Sequence, residues 1–355
     1  MKQTLIILLS IFLFIHCTTS INEPSTDKII VKNDVDKRDS EKSITEQVEE
    51  SLDELPTETE KPKSVTPKPK VEEIVKEDVN VENISDETLS TTSNTNNTYA
   101  WLTNYQAQNA LVHQIPTPEG YTRVDLPKGS FGDWLRYVPL KSKGSKVYYF
   151  NGQEKYNQSV HHSVLDIDVG KRDLQQCADA VMRLKAEYHY GRKEMDKIHF
   201  NFTSGHKVAF SDWSKGRKPI IRGNKVLFSN PNGSNNTSYR NFQKYLISIF
   251  SYAGTASLSK ELRRKNIQSI ESGDVFIQGG FPGHAIIVMD MAKNATGQKI
   301  FLIAQSYMPA QSIHILKNLN DSTGELNGVW YKIPEGSDFD TPEWGFTTSD
   351  LKSWE

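Results

Sequence analysis

The sequence predicts an α+β domain carried behind a long polar tether, and three observations lead there. Aromatic residues are absent from residues 20–97 and return abruptly at Tyr99 and Trp101. Across residues 173–265 the apolar positions recur mainly at helical spacing. From Gly273 onward they gather into short strand-like runs. Helices followed by a series of antiparallel strands make an α+β architecture.

At the N-terminus, Met1-Lys2-Gln3 leads into the apolar run 5–15. That run is too short to cross a bilayer, which takes roughly 20 apolar residues, and it reads as the core of a secretory signal. Phe14-Ile15-His16-Cys17 is a loose lipobox, because bulky His16 stands where a small residue is usual. The reading adopted is a bacterial lipoprotein lipidated at Cys17, exported and held at a membrane of the cell envelope. An uncleaved anchor and plain secretion are the alternatives. Residues 18–98 are rich in Lys, Glu, Thr, Ser and Pro and cannot bury enough apolar area to offset chain entropy, so they read as a solvated tether. Residues 99–355 are then one folded domain. The net charge of −2 argues against nucleic acid, or an anionic surface, as a partner recruited by bulk charge.

Within the domain, Ser130 before Phe131-Gly132-Asp133-Trp134-Leu135-Arg136 reads as a capped short helix. Asn151-Gly152 between two aromatic-rich runs signals a hairpin. Residues 160–169 read as a strand, and Asp173 reads as the cap of a helix running to about Tyr190. That helix has Leu174, Cys177, Ala178, Val181, Leu184 and Tyr188 on its apolar stripe. A short strand is expected at 198–202, a loop at 230–238, and helices at 239–252 and 257–265. Strands follow at 275–277, 284–289 and 300–304.

Two cysteines carry the functional question. With Cys17 taken by lipid, Cys177 is the sole thiol of the exported protein, and it is either a buried apolar filler or a reactive group. Gly273-Asp274 opens one strand, Gly283-His284 opens the next, and Gln305 closes a third. This pattern puts an imidazole at the mouth of a sheet with an amide beside it. Thiol chemistry needs those parts: a base to take the sulfur's proton and a third group to hold the ring. A cysteine in the early turns of a helix also gains from the helix dipole.

Gln176-Cys177, Gly273-Asp274, Gly283-His284 and Gln305 resemble, in order and type, the papain-like cell-wall amidases of the NlpC/P60 and CHAP group. That resemblance implies a papain-like antiparallel sheet with packed helices. It further implies Cys177 as nucleophile, His284 as base and Gln305 as orienting residue, no cofactor, and a peptide amide of peptidoglycan as substrate. The interval from Cys177 to His284 (284 − 177 = 107 residues) requires an insertion, placed at 201–238. A second resemblance covers nearly the whole folded part. Strings such as Asp173-Leu174-Gln175-Gln176-Cys177-Ala178-Asp179 and Ala304-Gln305-Ser306-Tyr307-Met308-Pro309-Ala310-Gln311 are similar to the domain-of-unknown-function 4846 family. That family carries no established activity.

Other polar residues have two readings each. His162, Asp166 and Asp168 share one face of the expected strand and are either metal ligands or a polar wall. Gln175 or Gln176 could donate to an oxyanion beside the thiol, or be helix surface. Tyr307 and Gln311, just beyond Gln305, are candidate substrate contacts. Trp213, Tyr239 and Trp344 are groove-lining or core aromatics. Two functions follow: an envelope-anchored thiol hydrolase, or a non-catalytic binding module using the same cleft.

Overall fold

The computed structural model describes residues 98–223 and 225–355. The reading of residues 1–17 as a leader lipidated at Cys17, and of the tether through residue 97, lies outside the described residues. Among the described residues no helix is long and apolar enough to cross a membrane.

Along the chain, helix α1 (Leu111–Gln114), strand β1 (Tyr121–Arg123) and helix α2 (Phe131–Arg136) come first. Ser130 caps α2 by accepting from the Asp133 N–H at 3.2 Å. Strand β2 (His161–Val164) and helix α3 (Cys177–Gly191) follow, then the hairpin of β3 (His199–Asn201) and β4 (Lys207–Ala209). A short helix α4 (Phe210–Ser214) leads to a second hairpin, β5 (Pro219–Arg222) with β6 (Lys225–Phe228). These two hairpins cover residues 199–209 and 219–228. Helices α5 (Tyr239–Tyr252) and α6 (Thr255–Glu261) and strand β7 (Arg263–Arg264) complete the middle of the chain. The C-terminal part is β8 (Val275–Gln278), β9 (His284–Asn294), β10 (Lys299–Gln305), β11 (His314–Leu316), β12 (Tyr331–Lys332), β13 (Asp338–Asp340), β14 (Gly345–Thr347) and β15 (Leu351–Ser353).

Nine of these strands form one sheet in the order β2-β11-β10-β9-β8-β15-β7, with β1 added beside β9 and β12 beside β10. Its pairings are antiparallel, so the domain is α+β, as the sequence pattern predicts. Both faces of the sheet centre are covered. Val275, Ile277, Ala285, Ile287, Leu302 and Ala304 face the larger core that holds the helices. Phe276, Ile286, Val288, Phe301 and Ile303 face a smaller one closed by Phe339, Phe346 and Leu351. This explains why β8, β9 and β10 read as continuous apolar runs without alternation.

Three elements differ from the sequence expectation. The strand predicted over 160–169 stops at Val164, because the Asp166 N–H is drawn to the Pro139 carbonyl at 2.8 Å. The Asn151-Gly152 turn forms, with Tyr149 N to Gln153 O at 2.8 Å, but its flanks make a single bridge. They pair outward instead, Phe150 N to Ala310 O and Ser312 N to Tyr148 O, both at 2.9 Å. Finally, α3 begins at Cys177 and not at Asp173. The Asp173 carboxylate is committed to the Ala310 N–H at 2.7 Å and the Gln176 amide at 3.0 Å, so the N-cap falls on Gln176.

Asp290, near the middle of β9, is fully buried and joins the N-terminal elements to the sheet. Its carboxylate accepts from Arg123 Nε at 2.7 Å, from Arg136 Nε at 2.8 Å and from the Met291 N–H at 2.8 Å, and Arg136 Nη2, which donates to the Val124 carbonyl, lies 2.7 Å from it as an ion-pair contact. Removing one partner of such a cluster leaves buried charge uncompensated. Asp290→Ala should therefore lower the unfolding free energy by about 3–5 kcal/mol, read from urea midpoints. A loss within experimental error would show that the cluster does not tie β1 and α2 to β9.

Candidate active site

Cys177 is the first residue of α3, and α3 packs against β9. The N–H groups of a helix's first turn have no partner within the helix, and here they surround the sulfur. The backbone N–H groups of Cys177 itself, Ala178 and Ala285 all act to favour the thiolate. Burial acts more strongly in the opposite direction, with the Asp179 carboxyl adding to it, and pushes the thiol up to about 11. The side chain is free of any disulfide and 6 % exposed.

The neighbouring Ala285 follows His284, the first residue of β9. His284 is set there by a tight approach at Gly283, where a Cβ would lie 2.5 Å from Thr255 Oγ1 and 2.7 Å from the Gln278 carbonyl oxygen. Gly273 is constrained too, with φ at +96° and Phe131 2.8 Å from where its Cβ would lie. Asp274 beside it is structural: it accepts from the Glu271 N–H at 2.7 Å and pairs with Lys265 at 2.9 Å.

His284 Nε2 lies 2.8 Å from Gln305 Oε1. The orientation of that amide is decided by its other end, because Gln305 Nε2 donates to Glu343 Oε2 at 2.7 Å and faces His314 Nε2 at 3.4 Å. Glu343 is itself held by Lys155 at 2.5 Å. His314 Nδ1 lies 2.8 Å from the Ser312 carbonyl, so it carries the proton and leaves Nε2 as acceptor. With both acceptors on its nitrogen side, Gln305 must present oxygen to His284. The proton of neutral His284 then sits on Nε2, and the lone pair is on Nδ1. Burial lowers His284 to about 4 and His314 to about 3, so both rings are neutral near pH 7.

Aromatic side chains close over this pair. Tyr307 lies 4.6 Å and Trp344 5.2 Å from the His284 ring, centroid to centroid. Trp344 Nε1 donates to Gln278 Oε1 at 2.9 Å, which fixes its place. The loops beside His284 and Gln305 expose Phe281 and Met308 to solvent. Two clefts, of about 330 and 380 Å³, are lined by residues around Lys299 and Tyr121 and include none of Cys177, His284 or Gln305.

The remaining predicted residues are distributed as follows. Gln176 is partly exposed beside the thiol, with its amide on Asp173. Gln175 turns inward, accepting from Arg183 Nη1 at 2.8 Å and donating to the Asp168 carbonyl. Gln311 is 1 % exposed, its amide nitrogen on the Pro309 carbonyl and its Oε1 buried without a protein partner. Trp213 is buried against α5, donating to Asn241 at 3.2 Å. His162, Asp166 and Asp168 do not converge: β2 ends before the two acids, and Asp168 pairs with Arg183 at 3.3 Å. Among the described residues no cluster of three His, Cys, Asp or Glu could hold a metal ion. Sequence reasoning missed Glu343, Lys155 and His314. Glu343 stands 38 residues beyond Gln305, in no motif, beside Trp344.

The residues that carry these features fall within one family. The chain belongs to the domain-of-unknown-function 4846 family. The family model matches residues 111–353, which spans α1 to β15 and all of the candidate site. No curated protein and no solved structure matches the chain.

Long-range ¹H–¹⁵N spectra should show His284 as the Nε2–H tautomer, and Glu343→Ala should convert it to a mixture by freeing the Gln305 amide to rotate. An unchanged spectrum would mean that Glu343 does not orient the pair. For stability, a histidine held below its unfolded pKa of about 6.5 binds fewer protons folded than unfolded. Its contribution is complete above about pH 6.5 and is lost as pH falls from there to about 4 for His284 and about 3 for His314. The urea midpoint should fall steeply between pH 6.5 and 4, and the slope should flatten in His284→Gln.

Proposed function

We propose that the domain is a thiol hydrolase of papain-like kind that cleaves an amide bond in peptidoglycan peptides, working from a lipid anchor at Cys17 in the bacterial cell envelope. The observation that carries this reading is the His284–Gln305 hydrogen bond of 2.8 Å, oriented so that the ring's lone pair is on Nδ1. The start of α3, with Cys177, packs on the same strand. A helix bearing cysteine at its first position, set on antiparallel strands that carry Gly-His and then a polar residue, is the arrangement the amidase resemblance implies.

In this reading substrate displaces Tyr307 and Trp344 and brings its carbonyl to the sulfur. His284 Nδ1 takes the thiol proton as Sγ bonds to the carbonyl carbon. The resulting oxyanion is met by first-turn N–H groups of α3. Collapse breaks the C–N bond, and the leaving amine receives the proton from Nδ1. Water then attacks the thioester, giving its proton to Nδ1, and the carboxylate leaves as the thiol is restored. Because burial keeps both thiol and imidazole neutral at rest, the proton moves during attack and no thiolate stands ready beforehand.

A second reading, a non-catalytic envelope-binding module, is favoured by that same burial, since a reactive thiol is ordinarily partly exposed. Activity on isolated peptidoglycan separates the two. The hydrolase should release new amino termini, with a loss of about 10³-fold or more in Cys177→Ala and His284→Ala. Peptide-resolved alkylation of the full chain should label Cys177 slowly in the resting state and faster with wall fragments present. Labelling only on unfolding, with no termini released from any wall fraction, would leave the binding module.

A further inference from the structure

The β5–β6 hairpin belongs to no larger sheet and is two-faced. In an antiparallel pair, directly opposed residues share a face and alternate residues switch it. Ile221, Val226 and Phe228 pack inward against the larger core. The outward face carries Ile220 and Arg222 on one strand, and Lys225 and Leu227 on the other, all exposed. Lys218, just before the strand, is exposed as well, with its ammonium 5.1 Å from the Trp213 ring at the edge of the face. Ile220 and Leu227 are cross-strand partners, 40 % and 46 % exposed, and form an aliphatic pair in the middle of that face. Arg222 and Lys225 are the next opposed pair. Like charges facing each other across a ladder are destabilising, so this face gains when an anion lies on it.

The surrounding sequence is poor in acidic residues. From Trp213 to Lys260 there is no Asp or Glu and there are eight Lys or Arg, in a chain whose net charge is −2. The near-neutral total conceals a strongly basic segment, so the bulk-charge argument against an anionic surface does not hold locally. Of that segment's cations, Arg217 is matched by Asp212 at 3.1 Å.

We infer that the outward face of the β5–β6 hairpin is a docking surface for an anionic phospholipid bilayer. Lys218, Arg222 and Lys225 meet the headgroup phosphates, and Ile220 and Leu227 enter the boundary between headgroups and acyl chains. The aliphatic pair decides for a bilayer over a nucleic acid. Single-stranded nucleic acid is held by stacking on exposed aromatics, and this face has none, since Phe228 is turned inward under Arg217 at 4.4 Å. Apolar groups set among cations are what an interfacial surface requires.

The test is sedimentation of the full chain with vesicles of phosphatidylcholine alone, and with the same vesicles containing phosphatidylglycerol. Reading the ratio of the two affinities cancels any contribution of the N-terminal apolar run. Each cation near an anionic surface contributes about a fivefold gain at moderate salt, so the unaltered chain should prefer the anionic vesicles by about 100-fold. Lys218→Gln/Arg222→Gln/Lys225→Gln should abolish that preference. Ile220→Ser/Leu227→Ser should weaken binding to the anionic vesicles by about tenfold. Both sets lie on the solvent face, and circular dichroism checks that each variant is folded. Equal affinity for the two vesicle types, a preference untouched by the triple change, or no effect of the Ile220/Leu227 change would overturn the assignment. Tighter binding to a 20-base-pair duplex than to the anionic vesicles would do the same and mark a nucleic-acid surface.

Discussion

Burial of β9 on both faces is the constraint around which the domain is arranged. Over residues 284–292 a strand covered by one core of helices and a second core of C-terminal aromatics cannot leave a polar side chain to water. Every polar group in that stretch must find its partner inside the protein. Asp290 recruits Arg123 and Arg136, and so pulls β1 and α2 onto the sheet. His284 recruits Gln305, and through it Glu343, Lys155 and His314. Two chains of polar contacts, one at the strand's start and one further along, thus connect segments that are distant in sequence.

The second chain has a chemical consequence. A glutamine amide is symmetric in shape, and its direction is set only by what it meets at its far end. Here a carboxylate neutralised by a buried lysine, together with the lone pair of a second imidazole, takes both amide hydrogens. The His284 tautomer follows from that, and with it which ring nitrogen keeps the lone pair. Low dielectric surroundings hold the ring neutral and keep the sulfur protonated. Tyr307 and Trp344 preserve that condition by excluding water from the ring.

The candidate site was legible where chemistry is written in adjacent residues. Gly283-His284 and Gly273-Asp274 are visible in the chain because backbone geometry demands glycine beside each functional or turn residue, and Gln305 is visible because it ends an apolar strand. The start of α3 was misread, since Asp173 has the ordinary chemistry of a helix cap. What removes it from that role is the Ala310 N–H, 137 residues away in sequence. Glu343 was illegible for the same reason: nothing near it in the chain signals that a lysine 188 residues earlier and a glutamine 38 residues earlier meet it.

The α+β class, the family and the succession of strands after Gly273 could be read directly from the chain. Apolar periodicity and glycine placement are local consequences of which faces are buried and which backbone angles are needed. Tertiary structure alone decided that Cys177 opens its helix, that His284 carries its proton on Nε2, and that the cations of β5 and β6 share one outward face with an aliphatic pair. Those properties depend on which side chains meet across the fold. A hydrogen bond or a shared face between residues distant in the chain leaves no mark on either stretch of sequence.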